Sequence, residues 1–473
     1  MANHSTAKKS NKHKKRLTYI DPTVAGIDIG SQVIYVSVAD GKGGCLVSSY
    51  DTTTPDLIKI ADTLKKAGAT TAVMEATGVY WVPLYDILED RGFEAVLVDS
   101  RSVKSVPGRK TDVIDCQWIQ TLYSNGVVRA AFRPQRDRIA LRAYVRGRDS
   151  VVDIRQTALL HMEKALQLMN IKLSYALSDI GGVSGMSIMR AIVGGERDPL
   201  VLAGLRNRRV KKSEEAFVRA LTGNFQEEYI FSLKQALDLY DFAQQQLVEC
   251  DEKILANLEV LPDVTTEPLP QRDKDKRADG RYARAQKPRK NDLSFDARTL
   301  LWRKSGKDIT VLPGIQASTA LTIYSELGGF DLEAWESPGA FSSWLKLCPG
   351  NNISGGKRRK CKVQPCQNRI SQALRMASMS SKQSRTAVGA FTRRICGKTD
   401  NLTGIKAGAH KLCRHLYAIC KFGNTYYEKG ESQYELEQAE RDCNALRKRA
   451  KKYGYKLVAI DPKEFSQPEQ KQA

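Results

Sequence analysis

The chain has 473 residues, 41% of them hydrophobic, and 75 Lys and Arg residues against 53 Asp and Glu residues give it a formal net charge of +22. That length suffices for about two or three domains with sizeable cores, and the positive charge indicates an anionic partner, first nucleic acid and second an acidic membrane surface. No apolar run approaches the roughly 18 residues of a membrane span, and no apolar segment follows the basic N-terminus, so we expect neither a transmembrane protein nor a secretory signal.

The N-terminal region has the pattern of an α/β domain. Residues 1–19 form a polar, basic arm that we expect to be disordered. Over residues 20–135, three strands with Gly-containing turns precede a helix, a strand, a helix, a strand and a helix, which predicts parallel strands after an antiparallel meander. Between Ile20 and Ser100 there are five Lys or Arg and twelve Asp or Glu, a net charge of −7, so the rest carries +29. An acidic module is therefore embedded in a basic protein.

The middle of the chain, residues 136–262, is predicted to be long helices, one over about 137–175 and one over about 226–258. Apolar residues of the second helix follow one stripe close to heptad spacing: Ile230, Leu233, Leu237, Tyr240, Leu247, Ile254 and Leu258. The stripe fits a helix packed within its own domain and, nearly as well, a dimerising coiled coil. Gln244 and Asp251 interrupt it.

The rest of the chain, residues 263–473, divides by composition. Residues 263–298 are polar and basic and contain prolines, which predicts a linker or a disordered arm that binds nucleic acid. A second, mostly α-helical domain is expected over 299–430, followed by a charged tail over 431–473 with one basic helix. We find no internal repeat.

Four acidic residues occupy matching places in the predicted α/β domain. Asp28 lies in the first strand, Glu75 ends the fourth, and Asp112 and Asp115 begin the helix after the fifth. If these strands are neighbours, all four acids can face one crevice, because residues three apart on a helix share a face. Carboxylates so close together repel unless cations neutralise them, and oxygen-only ligation suits Mg²⁺ or Mn²⁺. Two such ions can clamp the attacking and leaving oxygens of a phosphodiester.

Each of these acids also has a simpler explanation. Asp112 can cap the helix, Asp115 in its first turn favours the helix dipole, and Asp28 can form a turn. Glu75 lies in an apolar strand beside Met74, where an unpaired acid is costly, so it requires a partner. Capping leaves Asp28 and Glu75 unexplained, whereas a metal site accounts for all four.

Two motifs of the second domain can bind phosphate. The stretch "DITVLPGIQASTALTIYSELGGF" resembles a helix–hairpin–helix, in which the turn at Gly314 and a helix N-terminus offer backbone N–H groups to a phosphate. Gln316 occupies the position at which the motif normally has its second glycine. An ordinary turn between packed helices explains the segment about equally well. Further on, Ser354 precedes two glycines and a basic cluster that can hold phosphates. By composition alone, a basic surface loop with an unremarkable Ser354 fits that segment better.

The ten cysteines form no regular framework, and we expect reduced thiols in a cytosol. A zinc site has two candidate groups, Cys361 with Cys366, and His410 with Cys413 and His415. Neither contains a CxxC pair, and their irregular spacing is not typical of zinc ligands.

The strings "GIDIGS", "EATGVYW", "KTDVID" and "SGGKRR" together resemble the DEDD transposases of bacterial insertion sequences, of the insertion-sequence one-ten and eleven-eleven groups. The resemblance covers the N-terminal domain and about residues 310–380. It implies an α/β ribonuclease-H-like (RuvC-type) N-terminal domain, a long helical or coiled-coil middle and a mostly α-helical C-terminal domain. It also implies that Asp28, Glu75, Asp112 and Asp115 bind Mg²⁺ (or Mn²⁺) and that Ser354 is the nucleophile, linked to DNA as a phosphoserine.

The same resemblance implies the partners. DNA is both donor and target, a structured non-coding RNA from the element guides the reaction, and the protein is a homo-oligomer, a dimer or tetramer, in which one subunit's acids meet another's serine. We expect a cytoplasmic, nucleoid-associated bacterial protein with no membrane partner. The residues expected to bind nucleic acid are Arg109, Lys110, Gly314, Lys357, Arg358, Arg359, Lys360, Arg369 and Arg375.

Three other functions share part of this pattern. A Mg²⁺-dependent junction-resolving nuclease would use the same four acids with water as the nucleophile. An actin-like phosphotransferase would explain "GIDIGS" but needs a second Gly-rich phosphate loop, which the sequence lacks. A nucleic-acid-binding scaffold would explain the charge but not Glu75.

Overall fold

The computed structural model describes residues 19–272 apart from 77, 100–102 and 104–111, residues 290–348, the strand residues 353–354 and 357–358, and residues 366–458 apart from 424, 425 and 427. The chain divides into two compact units, Met1–Arg133 and Pro134–Ala473. The predicted N-terminal arm lies almost wholly outside the described residues, since only residue 19 of it is included.

The first unit contains one mixed five-stranded sheet and its helices, in the predicted order. The elements are β1 (Val24–Ile29), β2 (Val33–Ala39), β3 (Cys45–Asp51), α1 (Thr54–Lys66), β4 (Thr71–Glu75), α2 (Trp81–Asp90), β5 (Glu94–Val98) and α3 (Asp112–Ser124). The strand order across the sheet is β3-β2-β1-β4-β5. The first three strands pair antiparallel, and β1–β4 and β4–β5 pair parallel. The predicted meander followed by parallel strands is confirmed.

Alternation along the strands gives the sheet two apolar faces. One face, with Ile27 and Met74, packs with residues of α1 and α2 such as Leu84. The other, with Val24 and Val73, packs with residues of α3. Successive side chains of a strand point to opposite faces, so a residue's place in this alternation decides which helices it faces.

The second unit is almost entirely helical among its described residues. Its helices up to residue 260 are α4 (Arg136–Leu168), α5 (Leu173–Ala176), α6 (Val183–Val193), α7 (Pro199–Gly204), α8 (Glu214–Leu221) and α9 (Glu227–Val260). The later ones are α10 (Ala297–Ser305), α11 (Ala317–Leu327), α12 (Pro338–Trp344), α13 (Arg369–Ser381), α14 (Ala387–Lys398), α15 (Asn401–Phe422) and α16 (Gly430–Lys452). The short strands β6 (Ile353–Ser354) and β7 (Lys357–Arg358) form a separate antiparallel pair. None of the helices in the described part of the chain combines the length and apolar character of a membrane span.

The heptad-like stripe of α9 packs against other helices of the same chain. Its predicted members are buried or partly buried, and α9 packs against α4. The two polar interruptions are hydrogen-bonded to arginines of α4: Asp251 accepts from Arg148 Nε at 2.5 Å and Gln244 from Arg155 Nη1 at 2.7 Å. The first of the two alternatives, a helix packed within its own domain, is the observed one.

The flanks of the predicted linker are held to the helical unit. The N–H of Val264 donates to the carbonyl of Arg303 at 2.7 Å, and Trp302 Nε1 donates to the carbonyl of Glu267 at 2.9 Å. On the other flank, Arg148 Nη2 donates to the carbonyl of Asp292 at 3.1 Å. These flanks therefore differ from the expected free arm, while residues 273–289 lie outside the described part.

Candidate active site

Two of the predicted acids occupy neighbouring positions on β1 and β4, at the carboxyl end of these parallel strands. In the parallel pairing of β1 with β4, Ile27 stands opposite Met74. The next residue of each strand is an acid, Asp28 on β1 and Glu75 on β4, so the two backbones carry these residues side by side. Glu75 is the last residue of β4 and is partly exposed. The expected cost of burying it is therefore smaller than its apolar strand suggested.

Both acids share the side of the sheet that faces α3. Asp28 alternates with Val24 and Gly26, and Glu75 with Val73, residues of the α3 face. Gly26 shows how close the helix comes, because a Cβ placed there would lie 2.1 Å from the carbonyl oxygen of Cys116. Only glycine allows this approach of helix to strand.

Helix α3 runs so that its first turn lies at the acidic edge. Its far end is fixed near the start of β1, where the Asp21 N–H donates to Ser124 Oγ at 3.1 Å. Its first turns carry Asp112 and Asp115, of which Asp115 is partly buried. Asp112 is described only as a backbone position, four residues before Cys116, a helical spacing that places both on one stripe. The loop residues Arg109 and Lys110 lie outside the described residues.

Cys116 connects this turn to β1, because its carbonyl oxygen would lie 2.1 Å from a Cβ placed on Gly26, two residues before Asp28. Burial raises the pKa of the Cys116 thiol to about 12, and the nearby charge of Asp28 adds to the increase. A carboxylate acts on a neighbouring acid in this way only over short distances. The sheet edge and the first turn of α3 thus bring Asp28, Glu75 and Asp115 into one region, which we call the acidic edge.

The acidic edge has the right donors for a hard divalent cation. Carboxylate oxygens are the ligands that Mg²⁺ and Mn²⁺ prefer. Within the described residues, however, no three His, Cys, Asp or Glu side chains are grouped closely enough to hold a metal ion. Asp112 is the fourth acid of the predicted set, and its side chain is not among the described ones.

Ser354 lies in the other unit, on a small hairpin. It pairs with Lys357, and Ile353 pairs with Arg358, so residues 355 and 356 connect β6 to β7. The sequence places two glycines at this connection. The description of the hairpin is limited to its strand backbones, and Arg359 and Lys360 fall outside it. Where the sequence predicted a basic loop, the backbones of Ser354 and Lys357 thus lie opposite each other on two short strands.

The other predicted nucleic-acid contacts have intramolecular neighbours. A Cβ on Gly314, whose φ is +76°, would lie 2.2 Å from the carbonyl oxygen of Ala377 on α13, so helix packing accounts for this glycine. Arg369 Nη1 donates to Asp149 Oδ2 at 2.7 Å. Arg375 Nε donates to the carbonyl of Ser371 at 3.3 Å. The alternative of an ordinary turn between packed helices is well supported at Gly314.

The histidines and cysteine of the second zinc candidate lie on α15. Cys413 is completely buried, and burial raises the pKa of its thiol. Burial also lowers the pKa values of His410 and His415. Cys361, from the first candidate group, lies outside the described residues. Cys413 therefore belongs to the helical core, whereas His410 and His415 are only partly buried.

Sequence reasoning missed the residues that position α3. Gln120 is fully buried, accepts from Ser37 Oγ at 2.6 Å and donates to the Val24 carbonyl at 2.6 Å. The only sequence signal was a polar residue on the apolar stripe of α3, four residues after Cys116. Gly26, inside a strand pattern, signalled a close backbone approach.

Two family models match the chain. One, described as the transposase domain DEDD of IS110, matches residues 25–171, and the other, described as the transposase IS116/IS110/IS902 family, matches residues 307–392. The acidic edge falls inside the first match and Ser354 inside the second. No curated protein matches the chain.

Proposed function

Since this chain carries both domains of IS110-type transposases, it is a DNA transposase, and we propose that it cuts and rejoins DNA strands through a covalent link between Ser354 and a DNA end. We assign the first unit to the ribonuclease-H-like, RuvC-type fold, supported by the strand order β3-β2-β1-β4-β5 with helices on both faces.

The observation that carries the proposal is the acidic edge. Asp28 and Glu75 lie level on neighbouring strands and face the helix that begins with Asp112 and Asp115. We propose that these four acids together hold Mg²⁺, or Mn²⁺ with the same oxygen donors. When bound there, the cation would stabilise the negative charge that develops on the phosphodiester.

Ser354 supplies the nucleophile in this account. Its Oγ forms a bond to phosphorus, the bond from phosphorus to one DNA oxygen breaks, and the serine proton ends on that leaving hydroxyl. Rejoining reverses the exchange with the hydroxyl of another strand, so one phosphoester replaces another and no ATP is consumed. A free serine hydroxyl is a weak nucleophile, and carboxylates of the acidic edge, from the same or another subunit, are the groups that activate it. The pairing of Ser354 with Lys357 supports the placement of cations beside the attacked phosphate.

We propose DNA as donor and target, a structured non-coding RNA as guide, and a homo-oligomer as the active form. The net charge of +22 supports a nucleic-acid partner, and the family resemblance supports the RNA and the oligomer. The nine basic and glycine positions predicted for nucleic-acid binding keep that role as part of the proposal. Because the proposed substrate is DNA, we propose that the protein is associated with the bacterial nucleoid.

Strand cleavage by a Glu75→Gln variant tests the acidic edge. The substitution removes a charge but little volume, so cleavage of labelled DNA with RNA and Mg²⁺ should be lost while nucleic-acid affinity stays within about twofold. The matched control is Glu94→Gln, an exposed acid of β5 at the opposite end of the strands, which should cleave like the wild type. If Glu75→Gln cleaves DNA like the wild type, Glu75 is not needed for cleavage, and the proposed role of the acidic edge is wrong.

A further inference from the structure

Tyr80 is an exposed aromatic residue that follows Glu75 of the acidic edge by five positions. It has no role in the chemistry proposed above. Tyr80 is 52% exposed and Val79 is 72% exposed, and both lie between Glu75 and the start of α2 at Trp81. Large apolar side chains exposed singly are common, but here two neighbours are exposed five residues or fewer after a candidate catalytic acid.

The position of this turn follows from the topology. Helix α2 comes directly after β4 and packs on the sheet face opposite to α3. Its first residue therefore lies at the same end of the sheet as Glu75, and Tyr80 immediately precedes it at that end, which we call the rim. A phosphodiester held at that edge would bring its neighbouring nucleotide to this rim.

The turn brings Gly78 close to the Tyr80 ring. Gly78 has φ of +58°, a left-handed conformation, and a Cβ built there would lie 3.6 Å from the Tyr80 ring. The ring thus lies beside Gly78, and about half of the residue is open to solvent. A flat π face of this kind is what nucleobases stack on.

The base of the turn is held by contacts with α2. Trp81 Nε1 donates to the carbonyl of Gly78 at 3.1 Å, and the Trp81 ring packs edge-on against Tyr85 with 5.6 Å between centroids. The Arg133 guanidinium lies 3.7 Å from the Tyr85 ring centroid and pairs with Asp86 at 2.8 Å. Because its supports are fixed in this way, the turn loses little freedom when a ligand binds.

We propose that Tyr80 is a positioning residue on which a nucleobase of the DNA strand stacks, next to the phosphate bound at the acidic edge. The proposal rests on the proposed transposase function and names the part of its substrate that meets the first unit: an unpaired base adjoining the cleaved phosphodiester. Stacking on an aromatic ring tolerates any base, so Tyr80 fixes the register of the strand and not its sequence.

Photocrosslinking tests this contact locally. The full-length protein is bound to single-stranded DNA that carries 5-iodouracil at successive positions and is irradiated with long-wavelength ultraviolet light. Digestion with trypsin then releases the peptide of residues 67–91, which includes Tyr80, and fragmentation in a mass spectrometer locates the crosslink. We expect Tyr80 to be the crosslinked residue in the first unit.

Two variants and a control make the result specific. Tyr80→Ala should abolish the crosslink and weaken binding of the strand by about 5- to 150-fold, the range for one aromatic–base stack. Tyr80→Trp should retain binding. The control is Tyr19→Ala, because Tyr19 is a similarly exposed tyrosine (57%) at the other end of β1, and the hydrogen bond that it accepts from Asn125 Nδ2 uses its backbone carbonyl.

The outcomes separate this proposal from the one it rests on. If the wild type binds and cleaves DNA but crosslinks elsewhere, or if Tyr80→Ala binds the strand as tightly as Tyr19→Ala, the stacking proposal is overturned and the transposase proposal stands. If an RNA strand of the same sequence crosslinks to Tyr80 and the DNA strand does not, the assignment to DNA is overturned. Failure of the wild type to bind either strand would overturn both proposals.

Discussion

Ser37 Oγ on β2 donates a 2.6 Å hydrogen bond to Gln120 Oε1 on α3, and both side chains are fully buried. The Nε2 atom of the same Gln120 amide donates to the Val24 carbonyl on β1. One side chain therefore joins the helix that carries Asp115 to the strand that carries Asp28. The acidic edge depends on this junction, because it holds the helix and the strand in register.

Replacing Gln120 with Leu should loosen α3 and reduce cleavage. The substitution leaves the buried Ser37 hydroxyl and the Val24 carbonyl without this partner, at a cost of about 1–3 kcal/mol each. Hydrogen exchange of the peptides over residues 112–124 should quicken relative to the wild type. The control is Ser49→Ala, an exposed position on β3, which should leave exchange unchanged. Unchanged protection of α3 in Gln120→Leu would contradict the role of this amide.

Gly26→Ala should displace α3 from the sheet. The added methyl would meet the Cys116 carbonyl at 2.1 Å and the Gln120 backbone nitrogen at 2.8 Å. Overpacking of a core typically costs about 1–3 kcal/mol, and here backbone atoms must move. The matched control is Gly147→Ala within α4, which has open space around the new methyl and should stabilise its helix by roughly 0.5–1 kcal/mol. Thermal unfolding and strand cleavage of both variants measure the difference, and equal behaviour would contradict the close approach.

The buried ion pair between Arg148 and Asp251 should dominate the stability of the helical unit. Both residues are buried, and Asp251 also accepts from the Ser294 N–H at 2.9 Å. Asp251→Ala leaves a buried guanidinium uncompensated, which typically costs about 3–5 kcal/mol. The exposed pair of Arg190 with Asp241 is the control, since loss of such a pair costs about 0–1 kcal/mol. Denaturant unfolding should therefore separate Asp251→Ala clearly from Asp241→Ala, and similar midpoints would contradict this assignment.

Acid should weaken the contact between α4 and α11 through Glu326. Burial alone would raise the pKa of Glu326, but hydrogen bonds and charges from Arg146 and Arg142 outweigh it and hold the pKa below its usual value. A depressed folded-state pKa gives stability that is present above the unfolded pKa and is lost as pH falls through the folded one. The wild type should lose stability between about pH 5 and the lower folded-state pKa more steeply than Glu326→Gln.

Unfolding midpoints measured from pH 7 down to pH 3 test this dependence. Glu333→Gln, an exposed acid just beyond α11, serves as the control and should follow the wild type. Parallel profiles for the wild type and Glu326→Gln would show that the arginines around Glu326 do not stabilise its charged form.

The sequence predicted the elements of the first unit and the placement of its acids because those signals are local. Period-two strands, Gly turns and a helix that starts with two acids three residues apart can be read within about ten residues. The contact of Gly26 with α3 joins residues about 90 positions apart, and the amide of Gln120 bridges a similar gap. Nothing local distinguishes such a buried amide from a surface one.

The helical unit shows where the same pattern fits two structures. The same heptad spacing is expected whether α9 packs against a helix of its own chain or against a helix of another chain. The spacing alone therefore does not distinguish the two arrangements. The partners of Asp251 and Gln244 decide it, since both polar interruptions meet arginines of α4. The flanks of the predicted linker also make contacts that composition does not reveal, such as the hydrogen bond from the buried Arg148 to the Asp292 carbonyl.

The central claim is that Ser354 becomes covalently linked to DNA with the help of the acidic edge, and capture of that link is its most direct test. The full-length protein is incubated with labelled DNA, element RNA and Mg²⁺ and then separated by denaturing electrophoresis. The wild type and Ser343→Ala, an exposed serine of the same unit, should give a slow, protease-sensitive band that contains phosphoserine. Both Ser354→Ala and Asp28→Ala should lose it. If Ser354→Ala still cleaves and rejoins DNA like the wild type, the covalent mechanism is contradicted and a nuclease that uses water as its nucleophile is the better account.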